Sequence, residues 1–171
     1  ISSFRKTVEV WVESSVAADV YITTESWQSQ SEAILDSKTI SLLTKTPGIV
    51  GVDQLRKMKV SFQNNPIFLS GVNMRLFKKG SFPLLEGNRE QIFNKVIEQN
   101  AVLISEPLSR KAGLSAGDQL VVYGATGRVE LPIAGVYYDY SSETGTAALD
   151  LFTMESNFGP GEINGISLYL D

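Results

Sequence analysis

The sequence predicts an α+β fold, and three observations predict it. Of the 171 residues, 43% are apolar, enough for one domain of ordinary size or two small lobes with a real core. The first half runs strand, helix, hairpin. The second half runs buried strand, short helix, second hairpin, then strand, helix and closing strand, with Gly, Pro or Asn at most of the junctions.

In the opening stretch, Ile1, Phe4, Val8, Trp11 and Val12 share a helical face that Ser3, Arg5, Lys6, Glu9 and Glu13 avoid, and helix is favoured over the strand-like alternation of Val8, Val10 and Val12. This helix has no capping residue, and the chain begins with Ile1 rather than Met, so it reads as cut from a longer chain. Residues 18–23 alternate as a short strand. Ser29 and Glu32 form a capping box ahead of the stripe Ala33, Ile34, Ile40, Leu42 and Leu43, which Thr46-Pro47-Gly48 ends. Two strand runs, 49–60 and 67–72, flank the turn Gln63-Asn64-Asn65-Pro66.

A weakly structured section through Gly80, Gly87 and Asn88 leads to a short helix at 90–99 and a buried strand at 100–105. Ser105 then caps a helix with Pro107 in its first turn, where the missing N–H costs nothing, and Gly113 as its left-handed stop. Strands 119–123 and 128–137 form a second hairpin around Gly124-Ala125-Thr126-Gly127, with Pro132 marking an edge or a bulge. A strand at 147–151, a helix at 153–158, the turn Gly159-Pro160-Gly161 and a strand at 163–170 close the chain.

Composition excludes much chemistry. With neither His nor Cys, the chain cannot form Ser-His-Asp or Cys-His nucleophile systems, thiol redox centres or His/Cys zinc sites. A net charge of −4 is the wrong sign for phosphate-driven affinity, so nucleic acid is not an expected partner. The charge is uneven: Arg56, Lys57, Lys59, Arg75, Lys78 and Lys79 face only Asp53 between residues 53 and 80. Neither Gly113-Leu114-Ser115-Ala116-Gly117 nor Gly124-Ala125-Thr126-Gly127 has a phosphate-loop pattern, and no apolar run approaches the roughly 20 residues that span a bilayer.

Several constellations carry candidate chemistry. Ser3-Phe4-Arg5-Lys6 has the spacing at which a lysine activates a serine, although no companion motif exists and a solvated helix face is the simpler account. Asp139, Glu143 and Asp150 are carboxylates available for acid/base work or a hard cation, or else caps and turn formers. Tyr137, Tyr138 and Tyr140 are a platform for sugar or peptide, or ordinary strand packing. Residues 62–85 are both the most apolar and the most basic stretch. They read either as core with edge charges or as a partner or ligand surface built on Phe62, Phe68, Met74, Phe77, Lys78 and Lys79.

Three segments together resemble a known family. Ser3-Phe4-Arg5-Lys6-Thr7-Val8 with Trp11 and then Ala18-Asp19-Val20-Tyr21-Ile22 is one; Thr46-Pro47-Gly48-Ile49-Val50 is another. The third is Ala101–Glu106, Arg110-Lys111-Ala112-Gly113-Leu114 and Ala116–Leu120, followed by Ile133–Tyr140 and Gly145. In order and spacing these resemble the large extracytoplasmic domain of FtsX-like and MacB-like ABC transporter permeases.

The resemblance implies a noncatalytic domain on the periplasmic face of the bacterial inner membrane, in an integral membrane protein. It implies a membrane-proximal helix at 1–17, an α+β sandwich lobe from 18–75 and 155–171, and a smaller β-rich lobe inserted at 76–154. It implies no cofactor in this domain, with ATP and Mg bound by a separate cytoplasmic ABC ATPase. A periplasmic adaptor, a lipoprotein or an envelope enzyme is the implied outer partner. Motion is expected to enter through Phe4, Val8 and Trp11. Two other readings are open: an extracellular sugar- or peptide-binding module and a carboxylate-dependent hydrolase.

Overall fold

The computed structural model describes residues 18–24, 34–79 and 83–171. The opening helix with Phe4, Val8 and Trp11, the Ser3–Lys6 motif and the Ser29–Glu32 capping box lie outside them. Among the described residues, eight strands form one mixed sheet: β1 (Val20–Thr23), β2 (Ile49–Phe62), β3 (Asn65–Val72), β4 (Val102–Ser105), β5 (Gln119–Gly124), β6 (Gly127–Tyr137), β7 (Thr146–Asp150) and β8 (Gly165–Leu170). The five described helices are α1 (Ser37–Thr44), α2 (Met74–Lys79), α3 (Arg89–Glu98), α4 (Glu106–Ala112) and α5 (Leu151–Phe158). The α+β expectation holds.

The sheet order is β1-β8-β2-β3-β7-β4-β6-β5, with one further pairing of β5 to β2 at Tyr123 and Ser61. That pairing closes six strands on themselves. Alternate residues of those strands, among them Val60 and Phe62, Ile67 and Leu69, Val102 and Ile104, Leu120 and Val122, Val129 and Leu131, and Ala147 and Leu149, form one buried cluster. A period of two places such a set on one face of its strand, here the inner one. Leu108 of α4 and Met154 of α5 join the same cluster. Leu103, Ala134 and Ala148 belong to a second cluster with Ile92, Phe93 and Val96 of α3, which packs on the outer face.

Beyond the closed part, β8 and β1 extend the sheet from the first half of β2. Val20, Leu168 and Val52 lie in one row, and Tyr21, Ser167 and Asp53 in the next. The boundary expected at 75/76 falls within α2 and the one expected at 154/155 within α5. β7 lies inside 76–154 yet runs parallel to β3, with Phe68 beside Thr146 and Val72 beside Asp150.

Local rules account for most elements. Ser105 caps α4 with Pro in its first turn, and Gly113 ends it at φ 66°. Gln63 and Asn64 both have positive φ, the two-residue turn that matches strand twist in a hairpin. The irregularity expected near Pro132 is a register shift in the β4–β6 ladder between the pairs Val102–Ile133 and Leu103–Gly135. Two expectations are corrected. The described part of the first helix starts at Ser37 and is capped by Asp36, whose carboxylate accepts from Thr39 N at 2.8 Å. The section after β3 begins with a helix, because Asp150, distant in sequence, supplies the acceptor for Met74 N at 3.0 Å.

Candidate functional site

The proposed surface at residues 62–79 is largely interior. Phe62, Phe68 and Met74 are 8%, 5% and 0% exposed, so none of the three presents a partner surface on this chain. Phe62 sits in the inner cluster and Met74 in the outer one. The ammonium of Lys57 lies 4.6 Å from the centre of the Phe68 ring, and that of Lys59 lies 5.8 Å away. Lys78 donates to Asn94 Oδ1 at 2.6 Å. The side chains of Phe77 and Lys79 lie outside the described part. The basic run is thus divided: Arg56 points inward, while Lys57 and Lys59 flank an outer ring.

The three acids have separate jobs. Asp139 accepts from Thr146 Oγ1 at 2.7 Å, from Tyr137 OH at 3.3 Å and from Ser141 N at 2.9 Å. Burial pushes the Tyr137 phenol well above its ordinary range, and the neighbouring Asp139 charge adds to the shift. Burial lowers the Lys57 ammonium, partly offset by Asp139. Asp150 caps α5 through Phe152 N and holds Met74 N. At Glu143 it is the backbone carbonyl that is engaged, by Lys111 Nζ. Among the described residues no group of three acids is placed to hold a metal. Of the three tyrosines, Tyr137 is buried while Tyr138 and Tyr140 are exposed.

The most connected polar geometry lies along β2. At its start, the chain's first described strand and its last come together. Asp19 N donates to Leu168 O at 3.0 Å, and the Asp19 carboxylate accepts from Leu170 N at 2.7 Å. Asp171 N donates to Gly48 O at 2.9 Å, beside the Ile49–Leu170 pair. Both ends of the described chain therefore meet at one rim, on adjoining strands.

From that rim β2 runs on for 14 residues and changes partners half-way. Its last β8 pair is Leu55–Gly165 and its first β3 pair is Arg56–Gly71. The segment between α5 and β8 crosses there. Arg56 is 7% exposed, and its Nη1 donates to Gly159 O at 2.7 Å. Burial lowers the guanidinium pKa, and the field of Glu155 partly restores it. Asn164, also buried, accepts from Lys57 N through Oδ1 at 2.6 Å and donates its own N–H to Leu55 O at 3.0 Å. The Asn164 carbonyl accepts from Thr24 N at 2.9 Å, which brings in the end of β1.

Neither Arg56 nor Asn164 was singled out as a site residue from the sequence. A signal existed for the first: Arg56 has the parity of Met58, Val60 and Phe62, the inward-facing set, and an inward cation needs a partner.

No family model matches the chain. Over 99% of its length it is 21% identical to an uncharacterised ABC transporter permease protein of Mycobacterium tuberculosis, and it covers 20% of that protein. The periplasmic region of MacB from Actinobacillus actinomycetemcomitans superposes with a TM-score of 0.51 at 14% identity, over 88% of this chain and 73% of that one.

The chain has a MacB-like periplasmic fold. This is the resemblance read from the sequence. The extracellular domain of the ABC-type transporter YknZ from Gram-positive bacteria aligns over 88% of this chain and 81% of its own, at 16% identity and a TM-score of 0.49. The chain thus spans about a fifth of the length of the curated permease that it matches. Among the described residues of this MacB-like unit, no helix is long and apolar enough to cross a membrane.

Proposed function

We infer that the chain is the noncatalytic extracytoplasmic domain of an ABC transporter permease, on the periplasmic side of a bacterial inner membrane. It passes the motion of the membrane helices to envelope partners or to an amphiphilic substrate bound for export or extraction. ATP and Mg act on a separate cytoplasmic ATPase, and this domain holds no cofactor of its own.

One observation supports this reading above the rest: the two ends of the described chain meet at one rim, joined through Asp19 and Leu170, and β2 leads from that rim into the closed sheet. A tilt applied at the rim then moves a packed body as a unit, because packed interfaces shift between discrete arrangements rather than deform smoothly. The helix expected at 1–17 is the input, with Phe4, Val8 and Trp11 as its contacts.

The complete reading frame tests the placement: apolar spans of about 20 residues bracket the segment, and a frame without them overturns it. Trp11→Ala in the parent permease tests the relay. Transport falls while ATP binding is retained; unchanged transport refutes the relay.

A further inference from the structure

Among the described elements, the chain passes between the outer strands and the closed sheet only twice. It does so along β2, at Leu55 and Arg56, and through residues 159–164, which lead from α5 back to β8. α5 belongs with the closed sheet: Met154 lies in the inner cluster, and a β-carbon at Gly71, the β3 residue opposite Arg56, would stand 2.8 Å from its sulfur. The returning segment has little stiffness of its own, since Gly159 takes φ +77° and Gly161 also lacks a β-carbon. Two side chains pin it to β2. Arg56 holds its start through Gly159 O, and Asn164 holds its end through Lys57 N and Leu55 O. Neighbouring strand residues face opposite ways, and Leu55 accordingly joins the outer cluster, against which Tyr21 of β1 also packs. The crossing is thus held by an apolar contact on one face, by Asn164 along the strand edge and by Arg56 on the other face.

We propose that Arg56 is a positioning residue for the relay: by fixing the returning segment to β2, it makes the outer strands and the closed sheet move as one body. The proposal rests on the reading above, because a tilt at the rim reaches the closed sheet only if the crossing does not yield. Apolar burial resists separation but has no direction, so the Leu55 contact alone permits sliding. A hydrogen bond does have a direction, and a donor aimed at one carbonyl opposes rotation about β2. Burying a guanidinium is unfavourable unless it is hydrogen-bonded, so an apolar side chain would suit position 56 better if the position were only to be filled. Without Arg56 the glycines at 159 and 161 give β8 and β1 the freedom to swing about β2.

The test measures the distance between the two parts. Val50 in the first half of β2 and Glu130 in β6 are both exposed, and this segment has no cysteine. Nitroxides on Val50→Cys and Glu130→Cys are read by double electron–electron resonance in the parent permease with its ATPase, without nucleotide and after trapping with MgATP and vanadate. With Arg56 present the expected result is one narrow distance, the same in both states. Arg56→Met, which keeps most of the volume and removes the donors, broadens the distribution and makes it differ between the states. Val122→Ala, a core change inside the closed sheet, controls for lost stability and leaves the distribution narrow. An Arg56→Met distribution as narrow as the parent's overturns the proposal. So does equal broadening in Val122→Ala, or a distance that changes between the states with Arg56 in place. A parent absent from the membrane fraction overturns the underlying reading instead, and the nucleotide-free width in Arg56→Met still decides whether Arg56 fixes the crossing.

Discussion

The guanidinium of Arg56 lies against the backbone of Gly161, so close that a β-carbon at Gly161 would collide with it, and it donates a hydrogen bond to Gly159 across the same loop. The Gly159-Pro160-Gly161 turn is therefore shaped by a residue about a hundred positions earlier. The contact sits where β2 changes partners, so it ties the outer strands to the closed sheet.

Arg56→Ala is expected to destabilise the chain by about 1–3 kcal/mol, since the Gly159 carbonyl loses its donor and the packing around the guanidinium is lost. Gly161→Ala acts on the same contact from the other side and costs about 1–3 kcal/mol through overpacking. Urea unfolding of the two single variants and the double variant checks this. The double variant costs less than the sum, because both changes break one contact; simple additivity would show that the two residues are uncoupled.

Asn164→Ala leaves the backbone N–H of Lys57 without its acceptor inside the sheet, at a cost of about 1–3 kcal/mol. Hydrogen exchange at the Lys57 amide rises in this variant, while Leu69 and Leu149 in the closed sheet keep their protection. Equal loss of protection everywhere would mean that Asn164 supports the whole molecule rather than the crossing point.

Tyr137 predicts a dependence on alkaline pH. Burial raises the phenol above its ordinary value of 10.0, so the folded state holds this proton where the unfolded chain releases it. The stability it contributes is complete below pH about 10 and falls as pH rises beyond that. Tyr21 and Tyr169, both shifted upward mainly by burial, add the same sign. Tyr137→Phe flattens the decline between pH 9 and 11 in denaturation curves (the interval is about one unit either side of the free phenol value). An unchanged slope would remove Tyr137 as its source.

Gly145 has φ +106°, and a β-carbon there would lie 2.6 Å from Leu108 Cβ and 3.2 Å from Leu108 Cα on α4. Gly145→Ala is expected to cost about 1–3 kcal/mol from overpacking, with backbone strain in addition. Leu108→Ala made together with it leaves the close contact in place, because alanine keeps both Cα and Cβ, so the two costs are expected to add. Thermal unfolding of the three variants decides the point.

Local patterns made much of the fold readable. Ser105, Pro107 and Gly113 delimit α4 because a cap, a first-turn proline and a left-handed stop act within one helix. Both hairpins and the closing strand were readable for the same reason: turn residues and alternation are short-range signals. Helix α2 was missed because the acceptor for its first N–H comes from Asp150. The apolar and basic stretch at 62–85 is ambiguous because composition is the same for a core strand and for an exposed patch. Burial of Phe62, Phe68 and Met74 decides between them.

The amino-acid order alone established the α+β class, the absence of thiol and imidazole chemistry, and the resemblance to extracytoplasmic permease domains, since these depend on residue identity and near-neighbour spacing. Only folding brought β7 beside β3, joined β5 to β2, turned Arg56 onto the 159–161 loop and drew Asp19 to Leu170. Such pairings join residues far apart in the chain, and their free energy comes from shared burial and hydrogen bonding, which no local pattern encodes.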